Sequence, residues 1–74
     1  MSDRRVFSSE RLIAERETAG FTRAQVAVAT CRSWGAIYQF ESGRLAPGAE
    51  ALVAMADLFG CSIDRFYVEE TASV

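Results

Sequence analysis

The sequence predicts an all-α fold, a compact domain of five short helices, and three observations carry that expectation. Apolar residues recur three and four positions apart in short runs, which is the period of one helix face. Most runs open on a serine, a threonine or a glycine and close on a glycine, the residues that start and stop helices. Half of the 74 residues are apolar and only one is proline. The chain can therefore bury one core and holds little that would break its helices.

The first helix starts at Ser8 or Ser9, whose hydroxyls accept from free backbone N–H groups, and ends at Gly20. Leu12, Arg16 and Ala19 share a face, with Ile13 beside it and Glu15 intruding. Thr22 and Gln25 have the spacing of a capping box and open a second helix, with Val26 and Ala29 inward and Ala27 small enough for close approach. After a break at ATCRS, Ser33 caps a third helix running to Glu41 or Ser42, with Ile37 and Phe40 inward and Trp34, Tyr38 and Gln39 further out. Gly43 ends it. A fourth helix spans about Gly48 to Phe59 on a stripe of Leu52, Met55, Ala56 and Phe59, and stops at Gly60. Ser62 opens a short fifth helix with Ile63, Phe66 and Tyr67. No strand is expected, because YQFESG alternates only loosely and Gly43 cuts it. None of these helices can bury its own stripe, so all five must pack on one another. Leu12, Val26, Ile37, Phe40, Leu52, Phe59, Ile63 and Phe66 are the expected core. Residues 1–74 read as a single domain, folded over about 8–68, with short flexible ends.

Composition narrows the function classes. No apolar run approaches the roughly 20 residues of a membrane-spanning helix, and no apolar stretch follows the two arginines of MSDRRVFSSERL, so neither an anchor nor a signal peptide is expected. Cys31 and Cys61 stand 30 residues apart with no histidine anywhere in the chain. That spacing does not suit a zinc site, and isolated buried thiols in a cytoplasmic protein are the expected state. No enzyme chemistry and no cofactor are expected, since no base, carboxylate cluster or phosphate loop is legible.

The net charge of −2 opposes a strong nucleic-acid binder, yet the charge is uneven. Residues 1–44 carry seven arginines against five acids, whereas residues 45–74 carry Arg65 against five acids. The first half would face a polyanion.

The stretch TRAQVAVATCRSWGAIYQFESG carries the function. A capping-box helix, a short break and a second capped helix exist to project one helix from the surface, and the major groove admits such a helix. Residues 11–66 resemble the lambda-repressor-like, Cro-type helix-turn-helix family. The matching pieces are Ala19-Gly20, Phe21-Thr22, Gln25-Val26-Ala27, Ser33, Ile37, Phe40-Glu41-Ser42-Gly43, Pro47 and the closing LVAMADLFGCSIDRF. The resemblance implies a phosphate contact from Arg23 and base reading from Trp34, Gly35 and Gln39. It implies flanking contacts from Ala36 and Tyr38, strand-following by Arg44, and a structural pair between Arg16 and Glu41.

The chain departs from the family pattern at four places. Cys31 stands where glycine is usual, Thr30 and Glu15 where apolar residues are usual, and the reading helix has no lysine or arginine. A left-handed Cys31 would cost roughly 1 kcal/mol relative to glycine and alter the turn. Only Gln39 offers the paired donor and acceptor that suits an adenine edge. Two functions follow: a duplex-DNA-binding regulator, such as a repressor, or a protein-interaction module with little DNA affinity. A homodimer with its interface at Phe66, Tyr67 and Val68 would strengthen DNA binding.

Overall fold

A computed structural model describes residues 4–70. In chain order it contains strand β1 (Arg4–Phe7), helices α1 (Ser9–Ala19), α2 (Arg23–Ala29), α3 (Trp34–Glu41) and α4 (Ala49–Phe59), a 3-10 helix (Ile63–Phe66) and strand β2 (Tyr67–Glu70). The helical starts expected from Ser8, Thr22, Ser33 and Gly48 are the observed N-caps. The Ser8 hydroxyl accepts from Arg11 N at 3.2 Å. Gly20 closes α1 in the left-handed region at φ 86° and gives its N–H to the Arg16 and Glu17 carbonyls, as a glycine after a last helical turn does at low steric cost.

The expectation of five helices and no sheet is corrected in two respects. The fifth helical segment is one 3-10 turn, and Ser62 makes no side-chain cap bond to it. Tyr67 leaves that segment and enters β2, which pairs antiparallel with β1 in a two-stranded sheet. The register places Arg4 opposite Glu70, Arg5 opposite Glu69, Val6 opposite Val68 and Phe7 opposite Tyr67. Ser8 N continues the ladder to the Phe66 carbonyl at 2.8 Å. Four residues are too few to show a period of two, and each strand finds its partner some 60 positions away, so no local pattern announces either. The pairing carries regular structure outside the expected 8–68 span. The outermost residues 1–3 and 71–74, expected as flexible ends, lie outside the described residues.

One core forms between the helices. Leu12, Val26, Ala27, Ile37, Phe40, Ala51, Leu52, Met55, Ala56 and Phe66 are buried, and Phe7, Phe21, Phe59, Ile63 and Tyr67 pack around them half-buried. Phe59 and Ile63 thus join the core at its rim. On α2 the inward pair is Val26 and Ala27, while Ala29 is exposed. The packing of α2 against both α3 and α4 sets its rotation, which seven residues are too few to reveal by period. Phe66 is fully buried and is therefore removed from the expected dimer interface.

Candidate nucleic-acid interface

Three local devices set α3 relative to α2. Thr22 Oγ1 accepts from Gln25 N at 3.1 Å while Gln25 Oε1 accepts from Thr22 N at 2.8 Å, closing both ends of the capping box. In the break, Cys31 sits in the left-handed region at φ 57°, and Arg32 N returns to the Ala27 carbonyl at 2.9 Å. The turn thus keeps the geometry that usually calls for glycine, correcting the expectation that cysteine would alter it. Buried Thr30 also fits, because its hydroxyl donates to the Val26 carbonyl at 2.8 Å and leaves no polar atom unpaired. Ser33 Oγ then accepts from Ala36 N at 3.1 Å and starts α3.

The faces of α3 separate cleanly. Ile37, Phe40 and Glu41 are buried, whereas Trp34, Gly35, Tyr38 and Gln39 are exposed. Ala36 is half-buried and packs against the core, so its expected flanking contact is limited to its outer edge. Trp34 and Tyr38, one turn apart, stack with ring centroids 5.5 Å apart and planes 14° from parallel. They form a shared apolar slab in which 53% of Trp34 and 44% of Tyr38 remain in water. The Gln39 carbonyl accepts from Arg44 N and Leu45 N at 3.1 and 3.2 Å, which folds the chain back after α3. Its side-chain amide makes no hydrogen bond among the described residues. Arg44 follows on the same exposed turn. A Cβ at Gly35 would meet Ser33 Oγ at 3.9 Å and nothing nearer beyond its chain neighbours and its own helix backbone, so the fold leaves room for a Cβ there.

Beneath this face lies a buried ion cluster. Arg16 Nε donates to Glu41 Oε2 at 2.6 Å and Arg16 Nη2 to Oε1 at 3.3 Å, joining α1 to the end of α3. Arg16 Nη1 also donates to the Phe21 carbonyl at 2.9 Å. Removing one partner of such a buried pair costs roughly 3–5 kcal/mol, because the other charge is left without compensation. Arg23, expected only at a phosphate, also donates through Nε to Glu41 Oε1 at 2.8 Å. Eighteen residues separate Arg23 from Glu41, and no spacing rule links them. The intruding Glu15 finds its reason in the same way: its carboxylate accepts from Arg65 Nε at 3.1 Å, tying α1 to the 3-10 helix.

The cysteines correct another expectation, for both are free but neither is fully buried: Cys31 is exposed and Cys61 half-buried. Burial pushes the Cys61 thiol up, Glu15 adds to that shift, and Arg65 opposes it. The net effect favours the protonated, less reactive form.

A capped helix, a tight left-handed turn and a second helix with one anchored and one open face are now in place. The family model described as a helix-turn-helix domain matches residues 9–66, well over half of the chain. The chain belongs to the helix-turn-helix family. No protein of curated function matches it. The helix-turn-helix architecture supports a general regulatory role exercised through DNA or protein. Within this helix-turn-helix domain no group of three metal-ligating side chains occurs among the described residues. No helix among those residues is long and apolar enough to cross a membrane.

Proposed function

We propose that this helix-turn-helix domain is a sequence-specific duplex-DNA-binding transcriptional regulator of the lambda-repressor-like, Cro-type branch, reading the major groove with α3. The observation that carries the reading is the two-sidedness of α3. Ile37, Phe40 and Glu41 hold it from behind while Trp34, Gly35, Tyr38 and Gln39 stand free in front. Gln39 reads a base edge, Arg23 and Arg44 grip backbone phosphates, and the Trp34–Tyr38 slab packs on sugar edges or a thymine methyl. Repression by occupancy needs nothing beyond the bound domain. Free thiols suit a reducing compartment, and the proposed place of action is the cytoplasm. A two-fold dimer completes the proposal by placing two copies of α3 on adjacent turns of DNA.

A second reading has its own support. The front of α3 carries two stacked aromatics and no basic side chain, which suits a protein partner as well as a groove.

Selection from a random duplex library, followed by titration of the best site at two salt concentrations, separates the two. Under the DNA reading one sequence family is enriched. Gln39→Ala then weakens that site by about 1–3 kcal/mol while hardly affecting random DNA. Arg44→Ala weakens all sequences alike and lowers the salt slope by about one. No enrichment, with no duplex binding at low salt, transfers α3 to the protein-docking reading.

A further inference from the structure

We propose that Glu41 is a positioning residue for DNA binding: it holds Arg23 by Nε and so presents the other end of that guanidinium as a preset fork for one backbone phosphate. The inference rests on the DNA-binding reading above. Its basis is the unequal burial of the cluster, in which the side chains of Glu41 and Arg16 are 3% and 9% exposed and that of Arg23 is 42% exposed. One carboxylate is thus shared by two guanidinium groups, and the inner arginine takes the larger share by reaching both oxygens. An arginine has five N–H donors in a planar array. Only the Nε donor of Arg23 is engaged among the described residues, leaving both Nη groups for a ligand at the surface.

A planar group pinned at one end loses less freedom when its other end meets a phosphate than a free surface arginine does. The same carboxylate fixes the last residue of α3. Grip on the strand and placement of the reading helix are then one coupled unit, in which α1, α2 and α3 meet at one buried carboxylate.

Lysine at position 23 separates this arrangement from a mobile surface charge. Its ammonium is a point charge that can sit on Glu41 or reach a phosphate, and it has no second edge for doing both. Affinities for the selected duplex are measured for the wild type, R23K, R23A, E41Q and R23A/E41Q at a temperature where circular dichroism shows each one folded. R23K is expected to bind about as weakly as R23A, and the effects of R23A and E41Q are expected to be non-additive by about fivefold or more. Because Glu41→Gln also weakens the tie to Arg16 and can prevent folding, the R23K comparison stands alone as the test. It leaves the Arg16–Glu41 link intact. Rescue of affinity by R23K to the wild-type level overturns the inference while leaving DNA binding in place. Absence of duplex binding by the wild-type chain overturns instead the reading on which it rests.

Discussion

Cys31 shows how a single residue is set against its own backbone. The turn between α2 and α3 needs a left-handed residue, and a side chain there costs about 1–2 kcal/mol against glycine. Cys31 occupies the position at φ 57° and is exposed, so no packing offsets that cost. Glycine would relieve the strain but would add about 0.4–1 kcal/mol of entropy to the unfolded chain. The strain outweighs that entropy. Cys31→Gly is therefore expected to stabilise the domain by about 0.5–1 kcal/mol in urea unfolding, with the far-ultraviolet dichroism unchanged. An unchanged or lowered midpoint would show that the thiol makes a stabilising contact in the turn. The family resemblance made Cys31 legible as a departure, because position and residue type are both local. The double use of Glu41 was not legible, because Arg23 reaches it only after three helices have packed.

Among the elements, the β1–β2 ribbon is the one that composition concealed. Its outer positions pair Arg4 with Glu70 and Arg5 with Glu69, so opposite charges face one another and a register slip would break the match. Arg4 and Glu70 approach to 3.4 Å across the strands. Arg5 also donates to the Asp64 carbonyl at 3.1 Å, fastening β1 to the 3-10 helix. Inside, Phe7 meets Tyr67 edge-on at 6.4 Å. Arg5→Glu puts like charges opposite one another and beside Asp64, a loss of about 0.2–1 kcal/mol for the cross-strand pair. The amide protons of Val6 and Val68 are expected to exchange faster in that variant, while the helical dichroism is retained. Loss of the helices in step with the ribbon would show instead that the two fold as one unit. The helices were legible because caps and apolar spacing lie within each segment. Their count was not, since the last segment has only four residues, too few for any period to declare itself.

At the scale of the whole molecule the proposed DNA binding has to work from a net charge of −2. If Arg23 and Arg44 each meet a phosphate as proposed, the slope of log affinity against log salt is near −2 for one copy and near −4 for two, at about −0.9 per phosphate neutralised. A lone copy would bind weakly. The proposed dimer would set its two reading helices about 34 Å apart, one turn of duplex. Sedimentation at several concentrations is expected to show a monomer–dimer equilibrium, with the steeper salt slope appearing together with the dimer. A strict monomer that binds a selected site tightly would rule the dimer out. Phe66 cannot take part, being fully buried, so any interface near this end uses the half-buried Tyr67 and Val68 or lies elsewhere.

Whatever near neighbours decide could be read along the chain. Hydroxyls, glycines and apolar spacing marked four helices, and the run from Thr22 to Gly43 marked α2, its turn and α3, because each signal acts across one helical turn or less. Which side of α3 faces outward was also legible, since Ile37 and Phe40 lie three apart on the apolar side. The long-range pairings came from the packed fold alone: β1 with β2, Glu15 with Arg65, and Arg23 with Glu41. So did the rotation of α2 that buries Ala27 and exposes Ala29. These depend on distances that exist only after the helices have packed around Leu12, Ile37, Met55 and Phe66, where shape and burial, not chain spacing, choose the partner.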